Sequence, residues 1–164
     1  MSGRGDTATA RRLVAGLTRR GWHIATAESC SGGLLAAAFT DIPGASAVFD
    51  CGVISYADRI KADWLSVEPQ TLADYGAVSE QTARQMAEGA RRISGAELAL
   101  STTGIAGPDG GSPDKPCGLV YIALATDDGS IVRRNLFSGD RAAVREQTVA
   151  AALSLLEEYL QGVE

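Results

Sequence analysis

The sequence predicts an α/β fold, a three-layer α/β/α sandwich around a mixed, mostly parallel sheet. Helix-period and strand-period segments alternate through residue 104, and a two-strand hairpin pattern comes after them. The 164 residues, 45% hydrophobic and 21% charged, have the profile of one globular domain with a proper core. Residues 1–6 read as a loose tail and residues 7–164 as a single domain, with no internal repeat and no linker.

Over residues 7–20, Ala10, Leu13, Val14 and Leu17 recur at helical spacing. Asp6 or Thr7 suits the start of that helix and Gly21 its stop. HIATAE reads as a short buried strand, and the glycines after Ser31 open a second helix, LLAAAFTD, ended by Pro43 and Gly44. AVFDCGVISY is rich in β-branched and aromatic residues and reads as the next strand, followed by an amphipathic helix over ADRIKADWL. Residues 66–78 hold a short helix and a turn. Ser79 then caps a helix ending near Ser94, with Ala83, Met86, Ala87 and Ala90 on its inner face and Gly95 closing it. ELALSTTG is a third core strand running into residues 104–118, a loop with five glycines and three prolines. LVYIALAT and IVRRNLFS flank the turn DDGS as a hairpin. A closing helix from about Asp140 to Gln161 buries Val144, Ala151, Leu155 and Tyr159.

Composition excludes several function classes. Fifteen basic against twenty acidic residues give a net charge of -5, which argues against a broad basic surface for nucleic acid or an anionic membrane. Three separated cysteines, Cys30, Cys51 and Cys117, with His23 as the single histidine, argue for reduced thiols in a cytoplasmic setting without a zinc site. The first residues lack the apolar core of a signal peptide, and no apolar window is long enough to span a bilayer.

Ligands of open α/β sheets bind beyond the carboxyl ends of strands. Three candidate segments sit at such ends: residues 28–33, 56–61 and 102–118. Ser29 lies at a strand-to-helix turn whose glycines let backbone N–H groups approach an oxyanion or phosphate, and either Ser29 or Ser31 alternatively caps the helix. Cys30 reads as a small packed residue, since no histidine comes after it to activate it. With so little histidine, a serine nucleophile would rely on lysine. Lys61 serves only if neutral near pH 7, through burial or through positive charge such as Arg59, with Tyr56 sharing or orienting the proton; the alternative is a lysine on an exposed helix face. The glycines of the long loop allow close wrapping of a ligand, with Thr102 and Thr103 supplying hydroxyls. Asp109 and Asp114 match no calcium-loop spacing, and no metal or cofactor is assigned. Arg141 in the first turn of the last helix opposes the helix dipole, which a bound anion would resolve; the alternative is a solvated arginine paired with Asp140.

The stretches TAESCSGG, CGVISYADRIKADWL, YGAVSEQTARQMAEGA, TGIAGPDGGSPDKPCGLVYIAL and FSGDR together resemble the C-terminal domain of the competence-damage-inducible protein CinA. Stand-alone members of that family are nicotinamide-nucleotide amidases. The resemblance implies removal of the amide from nicotinamide mononucleotide within pyridine-nucleotide salvage, with Ser29 as nucleophile and Lys61 and Tyr56 as its partners. Backbone around Cys30, Ser31, Gly32 and Gly33 is expected to meet the oxyanion. Thr103, Gly104, Ile105, Ala106, Gly107, Pro108 and Arg141 are expected to hold the nucleotide, with Arg141 on its phosphate. Ser31 stands where many members carry threonine, a change that keeps the hydroxyl. Longer members also carry a separate N-terminal domain, similar to molybdopterin-binding proteins, which these residues do not include. The competing readings are a nucleotide-sensing or protein-interaction module that does no chemistry and an accessory factor in DNA uptake or recombination. A homodimer through an exposed hairpin edge is the expected assembly.

Overall fold

The computed structural model describes residues 7–163; the expected tail and an Asp6 cap lie outside them. The chain order is α1 (Thr7–Arg20), β1 (Ile24–Glu28), α2 (Leu34–Thr40), β2 (Phe49–Ile54), α3 (Asp58–Leu65), α4 (Pro69–Tyr75), α5 (Glu80–Ser94), β3 (Leu98–Gly104), β4 (Leu119–Thr126), β5 (Gly129–Leu136) and α6 (Arg141–Gly162). The five strands form one sheet in the order β2-β1-β3-β4-β5. β1 pairs parallel with β2 and β3, whereas β4 pairs antiparallel with β3 and β5. Four strands therefore run one way and β4 alone runs back, although the neighbour pairings divide evenly between parallel and antiparallel.

Side-chain size sorts the two faces. On one face Ile24, Leu98, Leu100, Val120, Ile122 and Leu124 pack against α1, α2 and α6. On the other, Ala25, Ala27 and Ala99 meet Met86 and Ala90 of α5. Small residues let α5 settle low on the sheet, and α5 in turn presses against α3. A Cβ at Gly89 would lie 2.1 Å from the Leu65 carbonyl oxygen, so the two backbones touch where only glycine fits. β1 and β3 are central and almost wholly buried; β2 and β5 are edges on which half-buried and exposed residues largely alternate.

The inner faces of α1 and α5 are buried as their periodicity requires. For α6 the register differs: Val144 and Leu155 are buried, but Ala151 and Tyr159 are only half-buried, while Ala152, Leu153, Leu156 and Leu160 lie inside. α6 packs on α1, α2 and the sheet at once, which spreads burial around the helix and blurs a single stripe. The hairpin turn is tighter than DDGS, because β5 already begins at Gly129, whose φ is +128°. All three cysteines are free thiols. Among the described residues no helix is long and apolar enough to cross a membrane.

Candidate active site

β1, β2 and β3 end on the same side of the sheet, and the turns and loops beyond those ends build the site. Alternation along β1 puts Glu28 on the face of Ile24, under α2, while Ala25 and Ala27 face α5. Glu28 is 1% exposed. Its Oε1 accepts from the backbone N–H of Leu35 (2.8 Å) and Gly33 (3.2 Å) and from the Ser31 hydroxyl (2.7 Å); Oε2 accepts from Ala36 N–H (3.0 Å). The strand's last residue thus caps the next helix, its charge placed at the positive end of the helix dipole.

This corrects the capping alternative for both serines. Gly33 occupies the N-cap position with φ 100° and no side-chain cap, and the carboxylate is a stronger acceptor than either hydroxyl. Ser31 donates to Glu28 and also bonds Thr102 Oγ1 at 2.7 Å. Because an ionised carboxylate only accepts, the Ser31 proton points at Glu28 and Thr102 is the donor to Ser31.

Ser29, tied through its N–H to the Thr102 carbonyl at 2.9 Å, turns its hydroxyl toward Lys61. The distance from Lys61 Nζ to Ser29 Oγ is 3.1 Å. α3 begins just past β2 and carries Lys61 inward to 1% exposure, against the exposed-face alternative. Nζ also donates to the carbonyls of Ser55 (2.6 Å) and Tyr56 (3.2 Å). Burial pulls Lys61 below the ordinary lysine pKa of 10.5, opposed by the negative charge of Asp58 and by Cys30. Arg59, expected to assist, is exposed and is not among these causes; desolvation lowers the pKa without it. A neutral amine has two N–H bonds and one lone pair. With both N–H bonds on the two carbonyls, the lone pair is left for the Ser29 hydroxyl proton.

Cys30 is 5% exposed, and burial pushes its thiol up to about 11, so it stays protonated as a packed wall residue. Tyr56 departs from its expected role as Lys61's proton partner. It meets Lys61 through its carbonyl, while its phenol, on a side chain largely open to solvent, accepts from Arg141 Nη2 at 3.2 Å. Tyr56 stands just beyond the edge strand β2. Arg141 also donates from Nη1 to the Gly107 carbonyl at 2.8 Å. Asp140 does not pair with it; its carboxylate caps α6 by accepting from Ala143 N–H at 2.9 Å.

Ser29, Cys30, Tyr56, Lys61, Thr103, Gly104, Ala106 and Arg141 line one cavity of about 210 Å³, joined by Ala77 and Val78. Ser31, Gly32, Gly33 and Ile105 are outside its lining. Gly32 N–H closes the turn on the Ser29 carbonyl and Gly33 N–H serves Glu28, which leaves the N–H groups of Cys30 and Ser31 as the turn's remaining backbone donors. Ile105 prolongs the sheet, donating to the Leu119 carbonyl and accepting from Gly118. Gly107 and Pro108 line an adjoining, larger groove of about 740 Å³ that shares Ala106 and Arg141 with the cavity. The groove is the larger concavity, but the smaller one holds the serine and the buried amine. Thr103 donates its hydroxyl to the Ala77 carbonyl at 2.7 Å and so fixes that wall.

The model of the CinA C-terminal domain matches residues 6–160. The chain belongs to that family. Nicotinamide-nucleotide amidohydrolase PncC of Enterobacter agglomerans is 47% identical over 151 residues, covering 91% of this CinA domain and 92% of that protein. A CinA-like protein of Geobacter sulfurreducens is 48% identical over 155 residues. The chain spans 33% to 37% of the length of the longer curated relatives it matches. Among solved structures, competence/damage inducible protein CihA from Agrobacterium tumefaciens superposes with a TM-score of 0.91 at 44% identity, covering 94% of each chain. A CinA superfamily protein from Klebsiella pneumoniae gives 0.92 at 37% identity, covering 95% of this CinA domain and 98% of that chain.

Sequence reasoning missed four contributors to the site. Ala77 and Val78 fall in a stretch with no chemical signal. The capping role of Glu28 spans a turn and matches no standard cap spacing. Arg145, which donates to the carbonyls of Cys30 and Ser31, had a signal: it lies one helical turn beyond Arg141 and so on the same face.

Proposed function

We propose that this CinA domain hydrolyses the carboxamide of nicotinamide mononucleotide to the carboxylate and ammonia, a step of pyridine-nucleotide salvage. The observation that carries the reading is the buried Lys61 amine 3.1 Å from the Ser29 hydroxyl in a cavity that Arg141 also lines. The amidohydrolase name of a relative matched over nearly its whole length supports it.

Ser29 Oγ attacks the carboxamide carbon while its proton passes to neutral Lys61 Nζ. The carbonyl oxygen becomes an oxyanion facing the N–H groups of Cys30 and Ser31; such donors contribute about 3 to 4 kcal/mol each. The tetrahedral intermediate collapses, the C–N bond breaks, and Lys61 returns the proton to the departing nitrogen, which leaves as ammonia. Water then attacks the Ser29 ester with Lys61 again taking the proton, and collapse frees the serine and the carboxylate product. Arg141, which lines the same cavity, neutralises the substrate phosphate. Its present partners, a carbonyl and a phenol, carry no opposing charge.

Ammonia and nicotinate mononucleotide are measured with the purified protein, without added metal, beside Ser29→Ala and Lys61→Ala. The reading requires release by the parent and its collapse in both variants. Retained nucleotide binding without release by a folded parent would instead support the sensing module.

A further inference from the structure

We propose that Arg145 is a positioning residue that sets the oxyanion donors of the Ser29 turn; the proposal rests on the amidase reading above. Arg145 is half-buried on α6. Its Nε donates to the Cys30 carbonyl and its Nη2 to the Ser31 carbonyl, both at 3.1 Å. The rigid guanidinium fork thereby fixes two successive peptide planes. In a trans peptide the N–H points opposite to the C=O, so holding the Cys30 carbonyl on Arg145 sends the Ser31 N–H to the other side. The preceding plane is fixed as well, because the Ser29 carbonyl accepts from Gly32 N–H at 3.1 Å.

Neither the Cys30 nor the Ser31 N–H is used in the turn's own backbone hydrogen bonds, and Cys30 lines the cavity beside Ser29. Gly32 makes room for the grip: a Cβ there would stand 3.2 Å from Arg145 Nη2, on a backbone with φ +58°. Among the described residues Arg145 bonds no carboxylate, so its full charge falls on these carbonyls and polarises the Cys30–Ser31 peptide toward stronger N–H donation. A neutral amide oxygen profits little from this and an oxyanion much, so the effect belongs to kcat and not to KM.

Arg145→Met keeps the aliphatic stem and removes the donors. Parent and variant are compared in kcat and KM with nicotinamide mononucleotide, in the rate at which p-nitrophenyl acetate acetylates Ser29, read by mass spectrometry, and in thermal midpoint. Expected are falls of at least about tenfold in kcat and in acetylation, against the about hundredfold or more lost with a whole donor. KM and the pH midpoint of the Lys61 limb stay unchanged, and added guanidinium ion restores part of the rate. Arg145→Lys, which cannot span both carbonyls, falls in the same direction and replaces the methionine variant if that does not fold. Unchanged rates, a loss shared between kcat and KM, or a loss that guanidinium does not relieve would overturn the proposal. A parent acetylated at Ser29 that releases no ammonia sinks the amidase reading, while the acetylation rates still decide the role of Arg145. A parent whose Ser29 is not acetylated overturns it.

Discussion

Glu28→Gln removes the charge that caps α2 while leaving the side chain's shape. In the parent, three donors share Oε1 and Ala36 N–H alone uses Oε2. Glutamine can keep its oxygen at the three-donor position, but its amide nitrogen then faces Ala36 N–H, donor against donor. The loss is one hydrogen bond to a charged group, about 1.5 to 3 kcal/mol. The missing negative charge at a buried helix N-terminus adds up to about 2 kcal/mol. Together they give a destabilisation of about 1.5 to 5 kcal/mol, a large share of the about 5 to 15 kcal/mol that holds a typical domain folded. Urea unfolding monitored by circular dichroism measures it, with an unchanged m-value showing that the native state is otherwise intact. A difference below about 0.5 kcal/mol, the ordinary size of a neutral surface change, would refute the assignment of the cap to Glu28.

kcat/KM is expected to rise with pH through a single ionisation below the ordinary lysine value and then level off, because burial lowers Lys61 and only its neutral form accepts the Ser29 proton. Lys61→Arg, always protonated, should be inactive at every pH, which a pH-rate series checks. Gly89→Ala should cost about 1 to 3 kcal/mol in urea unfolding, because its Cβ would meet the Leu65 carbonyl oxygen and one of two packed helices must shift. The exposed Cys117 should react with a chromogenic disulfide reagent in the native protein, whereas Cys30, buried and raised to about 11, should react only on unfolding. His23, whose pKa is raised by its hydrogen bond to Asp50, remains protonated in the folded state above 6.5, where the unfolded chain has lost the proton. Stability should therefore decline as pH rises through that window, and Asp50→Asn should flatten the decline.

Local repetition is what made parts of the fold legible in the sequence. α1 and α5 announce themselves because each buries one stripe, and the meeting of Ser29 with Lys61 stems from both lying just past ends of adjacent parallel strands. Contacts set by distant packing were not legible. The phenol of Tyr56 is drawn to Arg141, 85 residues away, and not to its near neighbour Lys61. The glycines at 32 and 33 look poised for a ligand, yet their N–H groups close the turn and complete the Glu28 cap. α6 hides its register because three neighbours bury it from several directions. Apart from the Gly32 N–H, whose partner Ser29 lies in the same turn, the deciding partner comes from another element, which residue type and spacing do not reveal.

The proposed hydrolysis turns on a covalent ester at Ser29, which competition by hydroxylamine detects. With hydroxylamine present, an acyl-enzyme partitions between water and the added nucleophile. The parent should yield the hydroxamate of nicotinate mononucleotide alongside the acid, and Ser29→Ala, folded and still binding nucleotide, should yield neither. Hydroxamate or acid formed at the parent's rate by Ser29→Ala would contradict it.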